Sequence, residues 1–382
     1  MQWKTIVCWW FALLLTCNLS LAVEMDFGDR LKQRMQEKQR EYRAESLSDL
    51  GFRYIDTHAH LVSQGPGSQR ADYKRSYAGT SDSAVHEMDR VGIGLSLIMP
   101  TPQFYQDDNR YDYMDMREPL SRHPGRFALL GGGGTLNPMI HKAYADGVLN
   151  EDTKALFTRI AADILAAGAV GFGEMAATHL SHAKEFAKFH PYEWAPADHP
   201  LFLILADIAA LHDVPIDIHM DLAPEDTPPL PPLRFEPNPE VIPANLTQFE
   251  HLLGHNRKAR IVWAHAGWDT TGWLNPRFLR GMLARHPNLF LSLKMLPDKG
   301  FPKSRVMTDD GKIKPVWMQL LLDFPDRFLI GTDYFHGAEW AENLTPGEGV
   351  GRWTHQFLHA LPKELAMKIG IENPKQIYKL QN

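Results

Sequence analysis

From residue 52 onward the chain repeats one unit: a short apolar run rich in Ile, Val and Leu, then a longer segment of helical period. Candidate strands lie at 52–58, 93–99, 126–132, 169–174, 214–219, 260–265, 288–294 and 327–333. Helical patterns lie at 81–91, 114–122, 151–167, 200–212, 245–255, 276–286, 314–323 and 353–370. The strand runs lack clean apolar–polar alternation, which suits strands buried on both faces of a parallel sheet. Eight such units predict an α/β fold, a single-domain (β/α)8 TIM barrel with insertions, over residues 51–382. A doubly wound open sheet is the alternative. The count of eight, and the polar residues collected at the strand C-termini, favour the barrel.

Those polar residues are the second constraint. Strand 1 leads into His58-Ala59-His60, strand 4 ends in Glu174, strand 5 in His219, strand 6 in His265 and strand 8 in Asp333. In a TIM barrel this end forms the mouth where chemistry is done. Residues i and i+2 of a strand point to one side, so His58 and His60 can aim together into the mouth as ligands of one metal. Imidazole and carboxylate suit zinc, manganese, iron or nickel. Singly, each residue has an ordinary explanation: His219 or His265 as a satisfied core histidine, Asp333 as a helix cap, Glu174 as partner of a nearby base. Jointly they do not, because burying six ionisable groups without an ion costs roughly several kcal/mol.

The N-terminus reads as a targeting segment. Lys4 precedes an apolar core at 6–15, too short to span a bilayer comfortably, and Ser20-Leu21-Ala22 puts small residues before a cleavage point. The expectation is a signal peptide over 1–22, then a charged helical segment over 23–50. The product would be periplasmic or on the cell surface, with secretion as the lesser option. Leu14-Leu15-Thr16-Cys17 loosely resembles a lipobox, so a membrane tether arises only if Cys17 is lipidated; an uncleaved anchor is a further alternative. Both cysteines, Cys8 and Cys17, fall inside this segment, so the cleaved chain has no thiol for a disulfide, a nucleophile or a zinc site. A formal charge of −6 argues against nucleic acid as a partner and leaves a small-molecule substrate.

The set His58, His60, Glu174, His219, His265 and Asp333 resembles the amidohydrolase superfamily of metal-dependent barrel hydrolases. The stretch from Tyr54 to Leu61 is similar to that family's first-strand motif, and Ile330-Gly331-Thr332-Asp333 to its eighth. Ile371-Glu372-Asn373-Pro374 is similar to its closing helix. Many members carry a carboxylated lysine on strand 4. Here Glu174 stands in that place, which resembles TatD-like members in which a carboxylate bridges two metals. Ala264-His265-Ala266-Gly267 looks like the amidohydrolase-related branch, which also holds decarboxylases and lactonases. The resemblance implies a metal-dependent hydrolase with one or two divalent ions, zinc foremost. His58, His60 and Asp333 would hold one ion, His219 and His265 a second, with Glu174 between them. Metal-activated water would attack a C–O, C–N or P–O bond, with Asp333 as proton shuttle. With one ion, His265 would orient or polarise the substrate. A metal-dependent decarboxylase, lyase or lactonase is the alternative.

Lys294, Trp268 and Tyr334 are candidate substrate-binding residues, with a solvated lysine and core aromatics as the plain alternatives. Asp221, two residues beyond His219, could orient it. Arg110 and Asp107 read as surface. The Gly131–Gly134 run lacks the Lys-Ser/Thr of a phosphate loop and reads as a turn of close backbone approach, with no clear helix directly after it. The proline-rich segment 222–243 reads as a long loop over the mouth. The fourteen other histidines read as structural, His336 being the one worth keeping in view.

Overall fold

The computed structural model describes residues 49–61, 77–107, 110–182, 184, 191–295, 304–336 and 347–381, all within one compact unit, Leu47–Asn382. The expected signal peptide, and the charged segment up to residue 48, lie outside the described residues.

Seven parallel strands pair in sequence order: β1 (Tyr54–Leu61), β2 (Ile93–Ile98), β3 (Phe127–Gly132), β4 (Gly171–His179), β5 (Pro215–Met220), β6 (Arg260–Ala266) and β7 (Leu289–Leu293). The eighth is broken in two. β8 (Phe328–Ile330) pairs with β7, and β9 (Tyr334–His336) pairs with β1. The sheet therefore closes on itself, with Leu291 opposite Phe328 and Tyr334 opposite Ala59. The seam is stitched by side chains as well. The Asp56 carboxylate accepts from Thr332 N at 2.9 Å and Thr332 Oγ1 at 2.5 Å, and Thr57 Oγ1 donates to Ile330 O at 2.8 Å. A two-residue strand, Glu193–Trp194, is added antiparallel to β4.

Helices surround the sheet: α1 (Tyr77–Val91), α2 (Tyr113–Ser121), α3 (Leu136–Asp146), α4 (Glu151–Ala166), α5 (Pro200–His212), α6 (Leu246–His255), α7 (Pro276–Arg285), α8 (Pro315–Asp323), α9 (Gly347–Ala360), α10 (Lys363–Met367) and α11 (Asn373–Tyr378). Two expectations change. A helix, α3, does follow the glycine run after one residue, burying Leu136, Ile140 and Ala143 at the i, i+4, i+7 spacing of one helical face. The pattern expected over 353–370 breaks at Pro362, whose ring cannot continue a helix interior.

The core has two parts. Phe157, Phe202, Phe249, Trp317 and Phe357 fill the layer between strands and helices, each fully buried ring worth about 1.5–3 kcal/mol. Inside the barrel, Ile55, Leu97, Leu130, Val262 and Leu329 meet Ile377 and Tyr378 of α11. Asn373 starts that helix and donates to Pro325 O at 2.8 Å and Phe328 O at 2.9 Å, tying it to the foot of β8. The barrel interior is thus a packed floor beneath the mouth.

The glycine run is a close-approach turn. A Cβ on Gly134 would lie 1.8 Å from Tyr111 O, and one on Gly131 would lie 2.8 Å from the Ile164 side chain. Its amides are already engaged: Asp112 accepts from Gly132 N, Gly134 N and Thr135 Oγ1 while also capping α2. A carboxylate of the chain itself fills the place a phosphate would need.

Candidate metal centre

The six residues singled out at the strand ends converge. Three strands reach the mouth by breaking their regular alternation. Ile55 belongs to the barrel floor, so strict alternation would turn His58 away from it. The β1–β2 register slips between Asp56 and Ala59, and His58 and His60 end with ring centroids 5.1 Å apart. The β4–β5 register slips between Phe172 and Met175, around Glu174. The β6–β7 register slips between Trp263 and Ala266, where His265 takes a left-handed φ of 65°. Asp333, in the gap between β8 and β9, has φ 54°. Such conformations cost about 1–3 kcal/mol each and gather where side chains must be re-aimed. Gly331 permits the last turn, since a Cβ there would lie 1.9 Å from Ser292 Oγ and 2.9 Å from His58 Cβ.

Glu174 lies at the middle of the cluster, 3% exposed. Its Oε2 lies 3.6 Å from His58 Nε2 and 3.4 Å from His60 Nε2. Its Oε1 lies 3.1 Å from His219 Nδ1 and 3.4 Å from His265 Nε2. Asp333 Oδ1 joins the first pair, 3.1 Å from His60 Nε2 and 3.8 Å from His58 Nε2. Three sets of donors, His58–His60–Asp333, His58–Glu174–His265 and His182–His219–Asp221, each keep their ligand atoms within 4.8 Å of one another.

Three of the imidazoles are held by their other nitrogen. His60 Nδ1 donates to Met99 O at 2.9 Å. His58 Nδ1 lies 3.1 Å from Asp217 Oδ1, a close ionic contact off the direction of a good hydrogen bond. His219 Nε2 lies 3.4 Å from Asp221 Oδ2, and Asp221 is itself fixed by Leu180 N and Thr270 Oγ1. Each contact favours the proton on the outer nitrogen and leaves the inner lone pair facing the centre, the arrangement a metal-binding histidine requires. His265 has no such carboxylate or carbonyl: among the described residues its Nδ1 is buried with no hydrogen-bond partner.

Burial and neighbouring charges pull against each other across the cluster. Burial disfavours charge on His58, but Asp217 and Glu174 lift its pKa well above the usual imidazole value. Burial likewise opposes charge on His219, yet Asp221 and Glu174 raise it to about 9. Burial would push the Glu174 carboxyl up, and the surrounding imidazoles instead hold it well below the usual range. Asp333 is also depressed, against burial, by Lys294, His265 and His60. His265 falls to about 3, chiefly through burial. Protons on His58 and His219 balance the carboxylates, and among the described residues His58 Nε2 is buried with no hydrogen-bond partner. A divalent cation fits this donor set: nitrogen and oxygen ligands, buried, with tautomers already fixed.

The remaining expected residues separate. Lys294 reaches the centre, where its ammonium pairs with Asp333 Oδ2 and sits 3.6 Å from the centroid of the Trp268 ring. Trp268 stands between Lys294 and His182, whose ring centroid is 4.4 Å away. Tyr334 packs behind the site: with His336 it borders a cavity lined by Glu87, Met88 and Val350, while Phe335 stacks on His60 at 4.5 Å. His336 contacts Glu87 there at 2.9 Å. Arg110 binds carbonyls of its own loop, at Tyr105 and Asp107. The proline-rich loop closes one side, with Leu233 and Ile242 packed on Leu180 and Ala223, and Asn238 bonded to both Ser181 N and O.

Several residues escaped the sequence reading. Asp217 precedes His219 by two, and Asp56 precedes His58 by two, so the pattern Asp-x-His marked both. His179 and His182 had no such signal. His179 ends β4 and His182 lies just beyond it, and both reach His219, at ring distances of 4.4 and 6.0 Å. Glu193 is buried beside them in register with His179, and burial together with the Glu174 charge lifts its pKa to about 8.

The amidohydrolase family model matches residues 55–380. No curated protein matches the sequence. Among solved structures, 5-carboxyvanillate decarboxylase from Novosphingobium aromaticivorans, complexed with manganese, is 14% identical, with 87% of this chain and 97% of that one covered at a TM-score of 0.44. An amidohydrolase from Mycobacterium avium subsp. paratuberculosis is 11% identical, with 86% and 100% covered at 0.46. One from Mycoplasma synoviae is 13% identical, with 85% and 87% covered at 0.44. The family match spans most of the chain: it belongs to the amidohydrolase family and is a metal-dependent hydrolytic enzyme.

Proposed function

We propose that this chain is an exported hydrolase of small molecules with a two-ion centre bridged by Glu174. One observation carries the reading: the two oxygens of Glu174 face different ligand sets, Oε2 toward His58 and His60, Oε1 toward His219 and His265. Asp333 completes the first set. Divalent ions, zinc foremost, would supply the positive charge that acidifies a water and polarises the scissile C–O, C–N or P–O bond. The chain's own groups do the rest. Asp333 would take the proton of the attacking water and return it to the leaving group. His58, His60 and His219 hold their tautomers through Asp217, Met99 O and Asp221. The buried position of the cluster keeps bulk water out. Export rests on the apolar segment at 6–15 and on Ser20-Leu21-Ala22.

A second reading has its own support. Among the described residues the outer nitrogen of His265 is buried with no hydrogen-bond partner. That suits a one-ion centre in which His265 acts on the substrate, as a decarboxylase, lyase or lactonase would use it. Elemental mass spectrometry on the chain from residue 23 separates the two. About two metal equivalents, falling to one or fewer in Glu174→Ala and lost in His58→Ala/His60→Ala, supports the bridged hydrolase and directs screening to esters, lactones, amides and phosphoesters. One equivalent that survives Glu174→Ala supports the second reading. A metal-free protein after reconstitution overturns both.

A further inference from the structure

His219 has two working faces. Its Nδ1 turns to the centre, 3.1 Å from Glu174 Oε1, while its Nε2 lies 3.4 Å from Asp221 Oδ2. The outer distance is long for a hydrogen bond, which holds nitrogen and oxygen about 2.7–3.2 Å apart. It matches the spacing of two donors on one ion: bonds of about 2.0–2.1 Å at a tetrahedral angle put their ligand atoms roughly 3.3–3.4 Å apart. The same 3.4 Å separates Glu174 from His60 and from His265 inside the centre. A third donor is at hand. His182 is half-buried on the loop after β4, and one ligand atom from each of His182, His219 and Asp221 lies within 4.8 Å of the others. Of the six strand-end residues, only His219 belongs to this set.

Room and an unmet hydrogen bond lie beside it. A cavity is bordered by His219, Asp221, Trp268, Asp269 and Thr270. Asp269 is 3% exposed, and among the described residues its Oδ2 has no hydrogen-bond partner. A buried carboxylate oxygen without a donor is costly, and water carried on a bound cation supplies one.

We propose that His182, His219 and Asp221 form an outer site for a divalent transition-metal ion that accepts nitrogen and oxygen ligands, such as zinc, behind the centre. The site goes beyond the proposed function, since it stands whether the centre holds one ion or two. Binding exchanges an ion for a proton. The ion takes the Nε2 lone pair of His219, the Nε2 proton leaves to solvent, and Asp221 turns its charge from that proton to the ion. With Nδ1 on an inner ion, His219 is then an imidazolate shared between the centre and the outer site. Losing the second ring proton costs more than losing the first, so the outer site fills at higher metal concentration than the centre.

The test counts ions. Full-chain protein is dialysed to equilibrium against zinc buffered at stepwise free concentrations, and bound zinc is measured by elemental mass spectrometry. Wild type should fill the centre first and then take one further equivalent at free zinc about tenfold higher or more. His182→Phe keeps a ring against Trp268 and removes both nitrogens; His182→Ala is the second variant should the first not fold. Either should fill the centre at the wild-type concentration and lack the further equivalent. A further equivalent that the folded variant retains overturns the site, because the ion is then held elsewhere. A wild-type curve with no second step overturns it as well and leaves Asp221 holding a proton on His219. Loss of the first step in the variant also overturns it, since His182 would then serve the centre. Wild-type protein that takes up no zinc at any concentration overturns the centre and the outer site together.

Discussion

Removing Asp217 tests whether the outer contacts of the histidines matter for metal. His58 Nδ1 lies 3.1 Å from Asp217 Oδ1, and both side chains are fully buried. Asp217→Ala takes away the only nearby group that favours a proton on Nδ1, so the ring is free to turn or to protonate on the inner nitrogen. Loss of such a supporting partner typically weakens metal affinity by about 10–100-fold, roughly 1.4–2.8 kcal/mol. The effect should stay within that range because His60 and His219 keep their own supports at Met99 O and Asp221. Asp217→Asn retains an oxygen at the same place and should lose less. The assay is competition for zinc against a chromophoric chelator at fixed pH, with the melting temperature of the metal-free protein as the fold control. A folded Asp217→Ala protein that binds zinc within twofold of wild type would refute the argument that His58 is a ligand held from behind.

Metal uptake should release protons, since His58 has its pKa lifted well above the usual imidazole value and His219 to about 9, and both must lose a proton to coordinate. Apparent affinity should rise with pH up to about 9, and calorimetry in buffers of different ionisation enthalpy should count more than one proton released near pH 7. Glu193 has its folded pKa raised to about 8, so between about 4.5 and 8 the folded state holds a proton that the unfolded chain has shed. Stability is lost as pH rises through that window; Glu193→Gln should therefore raise the melting temperature at pH 8 and lose the advantage toward pH 4.5. Gly331→Ala should destabilise by about 1–3 kcal/mol in urea unfolding and lower metal content, because its Cβ would collide with Ser292 Oγ and His58 Cβ. Adding Ser292→Gly should recover part of the stability, and a double variant no better than the single would remove the steric explanation. Asn373→Ala deletes two bonds to Pro325 O and Phe328 O and should cost about 1–3 kcal/mol without changing metal content in protein that remains folded.

The architecture was legible because burial on both faces leaves a simple trace. Each of the eight expected strands overlaps a strand of the closed sheet, and the six strand-end residues meet in one place. What stayed hidden is local. Alternation aimed His58 and His60 correctly relative to each other but could not show the register slip that turns them away from the phase of Ile55. A slip adds no distinctive residue type, so neither it nor the left-handed turn at His265 was readable. The helix after the glycine run was obscured by Pro138 and by the glycines themselves. Tyr334 looked like a pocket residue by its distance from Asp333, yet its neighbour Phe335 is the one that meets a ligand. His182 reaches the site through a loop whose path follows from long-range packing on Leu233 and Ile242.

The broken eighth strand has a consequence for when this protein can become an enzyme. Asp333 occupies the break, and its backbone N–H bonds His58 O at 2.8 Å across the seam. The earliest and latest candidate ligands in the chain are therefore neighbours in space, though most of the barrel's sequence lies between them. During synthesis the two histidines emerge first and wait for the segment that completes their set. A partly made or clipped chain lacking residues beyond 330 retains imidazoles but not the seam carboxylate that closes the first ligand set. Under the proposed ligand assignment, completion of the first set is thereby deferred to the finished barrel, while the residues of the second set are all in place earlier.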